Sequence, residues 1–571
     1  MNWQDNWRRW NTFADLEPAL QQELAQMADK EATLEDAFYT NLSFGTAGMR
    51  GVLGPGTNRM NIYTVRKAVE GLANHIKKKG EKAQKAGVVI AYDSRYMSQE
   101  FAIEAARVLG VHQIKTYIFE SLRPTPLLSF AVRYLHTAAG IMITASHNPP
   151  EYNGFKVYNA DGGQMLSEEA AALVHEVSLV KDELAIPVLS QQQAEQARLL
   201  EWIGQEVDQA YLKEVTTIRK QVQDNQLQVV FTPLHGTAHD LVLAGLTQLG
   251  IDQVHVVKEQ AEPDPDFSTV VSPNPEEHQA FELAIEQGTA IGADILIGTD
   301  PDADRLGVAV RQADGSFSIL SGNQLGALLL DYTLSQISED QRKDGVFIKT
   351  IVTTELGRAI ADYYRVETMN TLTGFKYIGE KIKQFETEKR HFLLGYEESY
   401  GYLIGDFVRD KDAVQIAVAV CEMANFWKRK GETLLTVLEK LYQRHGFYME
   451  RLDSLTLKGK EGAAQITKIL EDIREHPFQQ LGGLAVLAIE DFQSGKRQLI
   501  AAGEEEHIDL PTANVVKFLL EQDTWVCFRP SGTEPKMKSY FGVKTDSREA
   551  SNQLLEQIQA EVTARIEAII K

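Results

Sequence analysis

Asp300-Pro301-Asp302-Ala303-Asp304, followed by Arg305, places three carboxylates at alternate positions after the apolar run Asp294-Ile295-Leu296-Ile297-Gly298. Hard divalent cations prefer such oxygen donors, and Mg²⁺ is commonly shared between a few carboxylates and a phosphate. An EF-hand loop counted from Asp300 would need Gly at its sixth place and Glu at its twelfth. Arg305 and Arg311 stand there, which excludes it. Far upstream, Thr144-Ala145-Ser146-His147-Asn148-Pro149 sets a serine after another apolar run. A serine needs a base, a metal or prior phosphorylation to react. The hydrolase elbow G-x-S-x-G is absent, because Thr144 and Asn148 occupy its glycine places. Far downstream, Arg529-Pro530-Ser531-Gly532-Thr533 combines a guanidinium, two hydroxyls and a flexible Gly, groups that fork onto phosphate oxygens. No Walker A sequence is present. A metal, a hydroxyl and a phosphate site together point to phosphoryl transfer.

Three further stretches carry polar groups. Glu397-Glu398-Ser399 ends an apolar run with acceptors and a hydroxyl suited to sugar hydroxyls. Gly45-Thr46-Ala47-Gly48-Met49-Arg50-Gly51 is a Gly-rich loop with one Arg. Arg409-Asp410-Lys411-Asp412 is either a solvated face or a source of a phosphate-binding or proton-carrying Lys411.

The elements that must hold these groups repeat coarsely: an apolar run, a polar turn, then a helical stretch. Val88–Tyr92 leads into Asp93-Ser94-Arg95, Gly140–Ile143 into the serine turn, Val229–Phe231 into Thr232-Pro233-Leu234-His235-Gly236-Thr237, and Phe392–Leu394 into the Glu397 loop. Strands apolar throughout belong to sheets covered on both faces, and ligand groups gather at their carboxyl ends. At about 150 residues per domain, 571 residues make about four. Gln191 to Glu206 reads as one polar helical stretch, which sets a first boundary near 205. The turn Gln312–Gly315 sets a second near 320, and Gln443–Gly446 a third. Strands near Leu452–Leu457, Leu484–Ile489 and Trp525–Phe528, then a helix from about Arg548 to Ile570, make the last part a smaller α+β domain. The expected division is 1–205, 206–319, 320–447 and 448–571.

The net charge of −22 argues against a nucleic-acid partner. Two cysteines cannot make a disulfide framework, so a cytoplasmic location is expected. No run approaches the roughly 18 apolar residues of a membrane helix, so no membrane partner is expected. Nothing in the sequence fixes an oligomeric state.

Thr144–Pro149, Asp300–Arg305, Gly395-Tyr396-Glu397-Glu398-Ser399 and Arg529–Pro535 resemble, in order, the four signatures of the α-D-phosphohexomutases. The length and Phe44–Gly51 are most similar to the long bacterial phosphoglucomutase branch, which is also similar to the eukaryotic phosphoglucomutase/phosphopentomutase branch. The resemblance implies an α/β chain of four domains around a central cleft: three related mixed α/β domains and a C-terminal α+β domain. It implies that Ser146 is carried as phosphoserine, and that Asp300, Asp302 and Asp304 hold Mg²⁺ with an oxygen on Ser146. It implies active-site contact for Arg305, sugar hydroxyls for Glu397 and Ser399, and the non-reacting phosphate for Arg529, Ser531, Gly532 and Thr533. Lys156 and Arg50 match positions near the phosphoserine, and Thr373-Gly374 matches a loop near the substrate. His147 and Lys411 are candidates for moving the hydroxyl proton. Tyr400 departs from the family, where Gly often follows the Ser. The implied reaction interconverts glucose 1-phosphate and glucose 6-phosphate through glucose 1,6-bisphosphate. Mannose and pentose phosphates, a sugar-phosphate phosphatase or bisphosphate synthase, and a non-catalytic sensor remain as alternatives.

Overall fold

The computed structural model describes residues 2–45, 48–218, 224–457, 459–531 and 536–570, without the side chains of 459 and 460. Contacts divide the chain into two compact units: Met1–Leu325 with Gly374–Thr433, and Gly326–Thr373 with Leu434–Lys571.

In the first unit, a six-stranded sheet runs in the order Met49–Val52, Tyr152–Asn159, Ala139–Ile143, Val88–Tyr92, Thr116–Phe119, Leu200–Ile203. The last four strands are parallel and the first two antiparallel to their neighbours. Parallel strands need crossovers, supplied here by helices Ser98–Val111 and Thr125–Tyr134. Every residue of Val88–Tyr92 and Ala139–Ile143 is buried, as their unbroken apolar sequence requires. The reading of Gln191 to Glu206 as one helix is corrected. Helix Gln191–Gln196 is followed by strand Leu200–Ile203, and helix Gln205–Thr217 begins after Gly204. The strand lies at the sheet edge and is only four residues long. Its short alternation is lost among the Gln and Glu residues that flank it.

A second sheet runs Phe317–Ile319, Leu306–Arg311, Ile295–Thr299, Val229–Thr232, Val254–Val256. Its last three strands are parallel, and Ile295–Thr299 is wholly buried. The carboxylates therefore leave the carboxyl end of a central strand. The hairpin of His391–Glu397 with Gly401–Leu403 precedes helix Ala413–Lys428, which is buried from Ala413 to Asn425. This apolar stretch is thus a core helix. No helix among the described residues is long and apolar enough to cross a membrane. Three N-terminal helices, Trp3–Asn11, Pro18–Gln26 and Glu31–Phe38, form a satellite core in which Trp10 meets Phe38 and Tyr63 edge-on at 5.8 and 5.3 Å.

In the second unit, parallel strands Gly345–Thr350 and Glu367–Thr371 are joined through helix Leu356–Tyr363. The C-terminal part is antiparallel, in the order Phe447–Thr456, Lys536–Thr545, Trp525–Pro530, Val516–Leu520, Leu484–Asp491, Lys496–Leu499, Glu504–His507. Residues of helices Gly459–Glu475 and Arg548–Ile570, among them Ile469, Ile473, Ile558 and Val562, join its apolar core. The expected C-terminal strands and final helix are all found.

Candidate active site

Strand Ala139–Ile143 ends one residue before the serine turn. Thr144 Oγ1 accepts the Ser146 N–H at 2.8 Å, and Ser146 takes a left-handed φ of 52°. That conformation is uncommon outside Gly and is held here by its surroundings. Ser146 Oγ donates to Asp300 Oδ2 at 2.7 Å and lies 3.1 Å from His147 Nδ1.

The carboxylate turn is equally determined. Asp300 Oδ1 accepts the N–H groups of Asp304 and Arg305 at 3.1 and 2.9 Å, and Ala303 has φ 51°. Thr125 donates its N–H to the Asp302 carbonyl and its hydroxyl to Asp302 Oδ2, both at 2.9 Å. Thr237 N–H donates to the Pro301 carbonyl at 2.8 Å. A Cβ on Gly236 would sit 2.5 Å from Pro301 Cα, so only glycine fits beneath the turn.

Asp300, Asp302 and Asp304 are buried, and each offers one carboxylate oxygen within 4.8 Å of the others. Two of their oxygens, Asp302 Oδ1 and Asp304 Oδ1, are buried without a hydrogen-bond partner. Buried carboxylate oxygens with nothing to accept are costly unless a cation answers them. The set therefore fits a hard divalent ion.

Two lysines border the trio. Lys156, on strand Tyr152–Asn159, donates to Asp302 Oδ2 at 2.7 Å and lies 3.6 Å from Asp304. Lys411 Nζ lies 2.9 Å from Asp304 and 3.5 Å from Asp410. Burial disfavours the Lys411 charge, but Asp304, Asp410 and Glu397 outweigh it and hold the ammonium well above its usual range. Burial raises Asp300, and its carboxylate neighbours push it further up. Burial also opposes ionisation of Asp302, yet Lys156 and then Lys411 hold it well below the usual range. His147 falls to about 2, first through burial and then through Arg305 and Arg50, so its ring is neutral.

Arg305 is paired with Glu276. Burial disfavours its charge, and Glu276, Asp304 and Asp300 more than restore it. Arg50, on strand Met49–Val52, donates to Asn148 Oδ1 at 2.7 Å. Glu397 Oε1 accepts the Gly374 N–H at 2.7 Å, and Gly374 has a φ of 116° that favours glycine. Burial raises the Glu397 carboxyl to about 7, against the pull of Lys411. Ser399 lies half-buried in the hairpin turn, and Tyr400 takes a left-handed φ of 64° where a glycine would rest without strain. The Leu306 N–H donates to the Tyr400 carbonyl at 3.1 Å, which fastens this turn to the strand after the carboxylates.

The structure thus brings Ser146, His147, Lys156, Asp300, Asp302, Asp304, Arg305 and Lys411 into one polar cluster in the first unit, with Arg50 and Glu397 at its charged neighbours. Thr373, Arg529 and Ser531 belong to the second unit. There Arg529 pairs with Lys538 across the antiparallel ladder, and Ser531 N–H closes onto the Lys536 carbonyl at 2.7 Å. Gly532 and Thr533 lie outside the described residues, as do Thr46 and Ala47 of the Gly-rich loop and Glu534 and Pro535. Sequence reasoning gave no role to Glu276, Thr125 or Asp410. Asp410 stood in a charge cluster that could have drawn notice; the other two carry no local signal.

Three family profiles match the chain. "Phosphoglucomutase/phosphomannomutase, alpha/beta/alpha domain I" covers residues 41–182, domain II covers 209–315 and domain III covers 321–445. A phosphoglucomutase of Staphylococcus epidermidis is 42% identical over 512 residues, covering 90% of this chain and 92% of that protein. One of Staphylococcus aureus is 42% identical over 509 residues, covering 89% and 91%. Among solved structures, a putative phosphomannomutase from Thermus thermophilus superposes with a TM-score of 0.67 at 23% identity, covering 92% of this chain and 99% of that one. The open form of the Paramecium phosphoprotein pp63/parafusin gives 0.70 at 16%, covering 93% and 95%. The chain belongs to the phosphoglucomutase/phosphomannomutase family. It is an enzyme of the isomerase class, a phosphohexomutase.

Proposed function

We propose that this enzyme is a phosphoglucomutase that interconverts glucose 1-phosphate and glucose 6-phosphate by way of a phosphorylated Ser146. The observation that carries the reading is the 2.7 Å contact of Ser146 Oγ with Asp300, one of three clustered buried carboxylates. The relatives named phosphoglucomutase support the choice of sugar.

Asp300, Asp302 and Asp304, with an oxygen on Ser146, would hold Mg²⁺, whose charge offsets that of the transferring phosphoryl oxygens. The phosphoryl group leaves Ser146 Oγ for the free hydroxyl of the hexose monophosphate. The P–Oγ bond breaks, a new P–O bond forms to the sugar, and the hydroxyl gives up its proton. We assign proton movement to His147 and Lys411, which border the serine and the carboxylates. Lys156, Lys411 and Arg305 keep positive charge about the anionic group. Arg50, beside Asn148 of the serine loop, adds another cation. Glucose 1,6-bisphosphate is then the intermediate, and Ser146 recovers a phosphoryl group from its other phosphate. Glu397, Ser399, Thr373 and Gly374 are assigned to the sugar. Arg529, Ser531, Gly532 and Thr533 are assigned to the phosphate that does not react, on the chemistry of guanidinium and hydroxyl donors. The four-domain division at 205, 319 and 447 belongs to the same proposal.

The test is conversion of glucose 1-phosphate with Mg²⁺, with and without glucose 1,6-bisphosphate, beside mannose and ribose phosphates. Turnover of glucose primed by bisphosphate and abolished by a chelator is expected. Strong turnover of another sugar alone would overturn the substrate. Release of inorganic phosphate without isomerisation would overturn the mutase.

A further inference from the structure

Arg95 ends the Asp93-Ser94-Arg95 turn after strand Val88–Tyr92, and nothing in the chemistry above uses it. Its side chain is wholly buried. Nη2 donates to the carbonyl of Ser146 at 2.6 Å and to that of Asn148. Nη1 donates to the carbonyls of Pro149 and Tyr152 at 2.7 and 3.0 Å. One guanidinium thus gathers three carbonyls of the loop that carries the serine and the first carbonyl of the strand that follows it. A guanidinium presents its donors in a rigid planar fork, whereas an ammonium is a compact point charge with three rotatable donors.

The guanidinium is itself held from two sides. Asp93 accepts the Arg95 N–H at 3.0 Å and the Ser98 hydroxyl at 2.8 Å through Oδ1, and its Oδ2 lies 3.4 Å from Arg95 Nε. The Phe267 ring covers the guanidinium at 4.8 Å. Phe267 belongs to the segment between strands Val254–Val256 and Ile295–Thr299, on the carboxylate side of the site. Asp264 fixes its turn by accepting the N–H groups of Asp266 and Ser268 at 3.0 and 2.9 Å. The neighbouring Tyr96 hydroxyl donates to Asp266 at 2.7 Å. Residues 95 and 96 therefore meet residues 266 and 267 across the two sheets that supply the serine and the carboxylates.

We propose that Arg95 is a positioning residue for phosphoryl transfer: it holds the serine turn in its left-handed form and registers it, through Phe267, against the carboxylate side of the site. The inference rests on the reading of Ser146 as the phosphoryl carrier. In-line transfer tolerates little displacement, and a shift of about 1 Å costs about 10²-fold in rate.

The experiment compares wild type with Arg95→Lys, Arg95→Ala and Phe267→Leu, the last leaving all of the Arg95 hydrogen bonds in place. Phosphoserine content after incubation with glucose 1,6-bisphosphate is read by intact mass. Turnover is then expressed per phosphorylated molecule. The expected result is a kcat about 10²-fold lower in Arg95→Lys with KM little changed, a smaller fall in Phe267→Leu, and partial recovery of Arg95→Ala by added guanidinium at low concentration. A merely structural arginine would lower the melting temperature and the folded fraction while leaving kcat per phosphorylated molecule intact. A kcat in Arg95→Lys within twofold of wild type overturns the proposal. So does an unchanged kcat in Phe267→Leu if neither Arg95 variant folds. A wild type without mutase turnover sinks the phosphoserine reading first and takes this inference with it.

Discussion

Glu397 is a carboxyl whose burial leaves it half-ionised near neutrality, at about 7. Its folded value lies above the unfolded one near 4.5, so the folded state binds the extra proton between them. Stability contributed by this group is present below about 4.5 and is lost as pH rises through about 7. An ionised carboxylate is acceptor-only, so binding of sugar hydroxyls should tighten over the same interval. KM for glucose 1-phosphate is expected to fall between about pH 6 and 8 in wild type and to stay flat in Glu397→Gln; parallel profiles would remove Glu397 from the sugar site. Ser146→Ala should abolish turnover with an unchanged circular dichroism spectrum. Residual activity above a few per cent of wild type would refute the phosphoserine. Asp302→Asn should raise the Mg²⁺ concentration for half-activation and lower the rate together, and a normal Mg²⁺ titration would move the metal elsewhere. At this scale the sequence was informative where chemistry sits in a short run, as in Asp300–Asp304. It was silent where a partner comes from afar: the Arg305 pair with Glu276, and Thr125 with Asp302, 177 positions away.

Helix Ala413–Lys428 begins at Asp412, which caps it by accepting the Val414 and Gln415 N–H groups at 3.0 Å. The same carboxylate accepts the Tyr211 hydroxyl at 2.8 and 2.9 Å, from helix Gln205–Thr217. On the other side of Lys411, Asp410 accepts the Tyr158 hydroxyl at 2.7 Å and Gln164 Nε2 at 2.8 Å. Lys411 is thus strung between two buried carboxylates, each tied to a different element. Tyr211→Phe should cost about 2 kcal/mol, the worth of a hydrogen bond to a charged group, and should lower kcat by loosening Lys411. Urea unfolding and steady-state kinetics read both, and a variant as stable as wild type would show that the bond contributes nothing. The apolar strands and their loaded turns were legible because a buried parallel strand announces itself as an unbroken run. The edge strand Leu200–Ile203 was not, and the charged Arg409–Asp412 run gave no sign that Arg409, Asp410 and Asp412 would be buried.

Over the whole molecule, the expected four-domain order was read from turns and composition, which mark where segments end. They do not show which segments keep company. Residues 326–373 group with 434–571 through contacts remote in sequence. Lys517, on strand Val516–Leu520, donates to the Ile351 carbonyl at 2.6 Å, 166 positions away, and lies 4.7 Å from the Trp525 ring. Beside it Lys349, wholly buried, donates to Glu355 at 2.9 Å, and burial lowers its ammonium to about 8. Lys517→Met would leave the Ile351 carbonyl without its donor, at a cost of about 1–3 kcal/mol. We expect the second unit to unfold at lower urea than the first, seen as a biphasic transition or as early proteolysis within Gly326–Thr373. A single transition at the wild-type midpoint would show that this tether does not hold the unit together.

The chain passes between its two units three times, after Leu325, Thr373 and Thr433. On a ribosome this order has a cost in time. When Leu325 emerges, the first unit still lacks Glu397, Lys411 and its buried helix, and cannot close its core. The excursion Gly326–Thr373 appears next, with Val346, Phe347 and Ile348 wholly buried in the finished protein and the parallel strand Glu367–Thr371 made with it, but the segment from Leu434 onward still to come. At roughly 5–20 residues per second, the excursion waits several seconds for the C-terminal segment with which it groups. The nascent chain is therefore a natural client for a chaperone that shields apolar segments, and synonymous changes that slow translation just after Thr373 should lengthen the wait and lower the soluble yield.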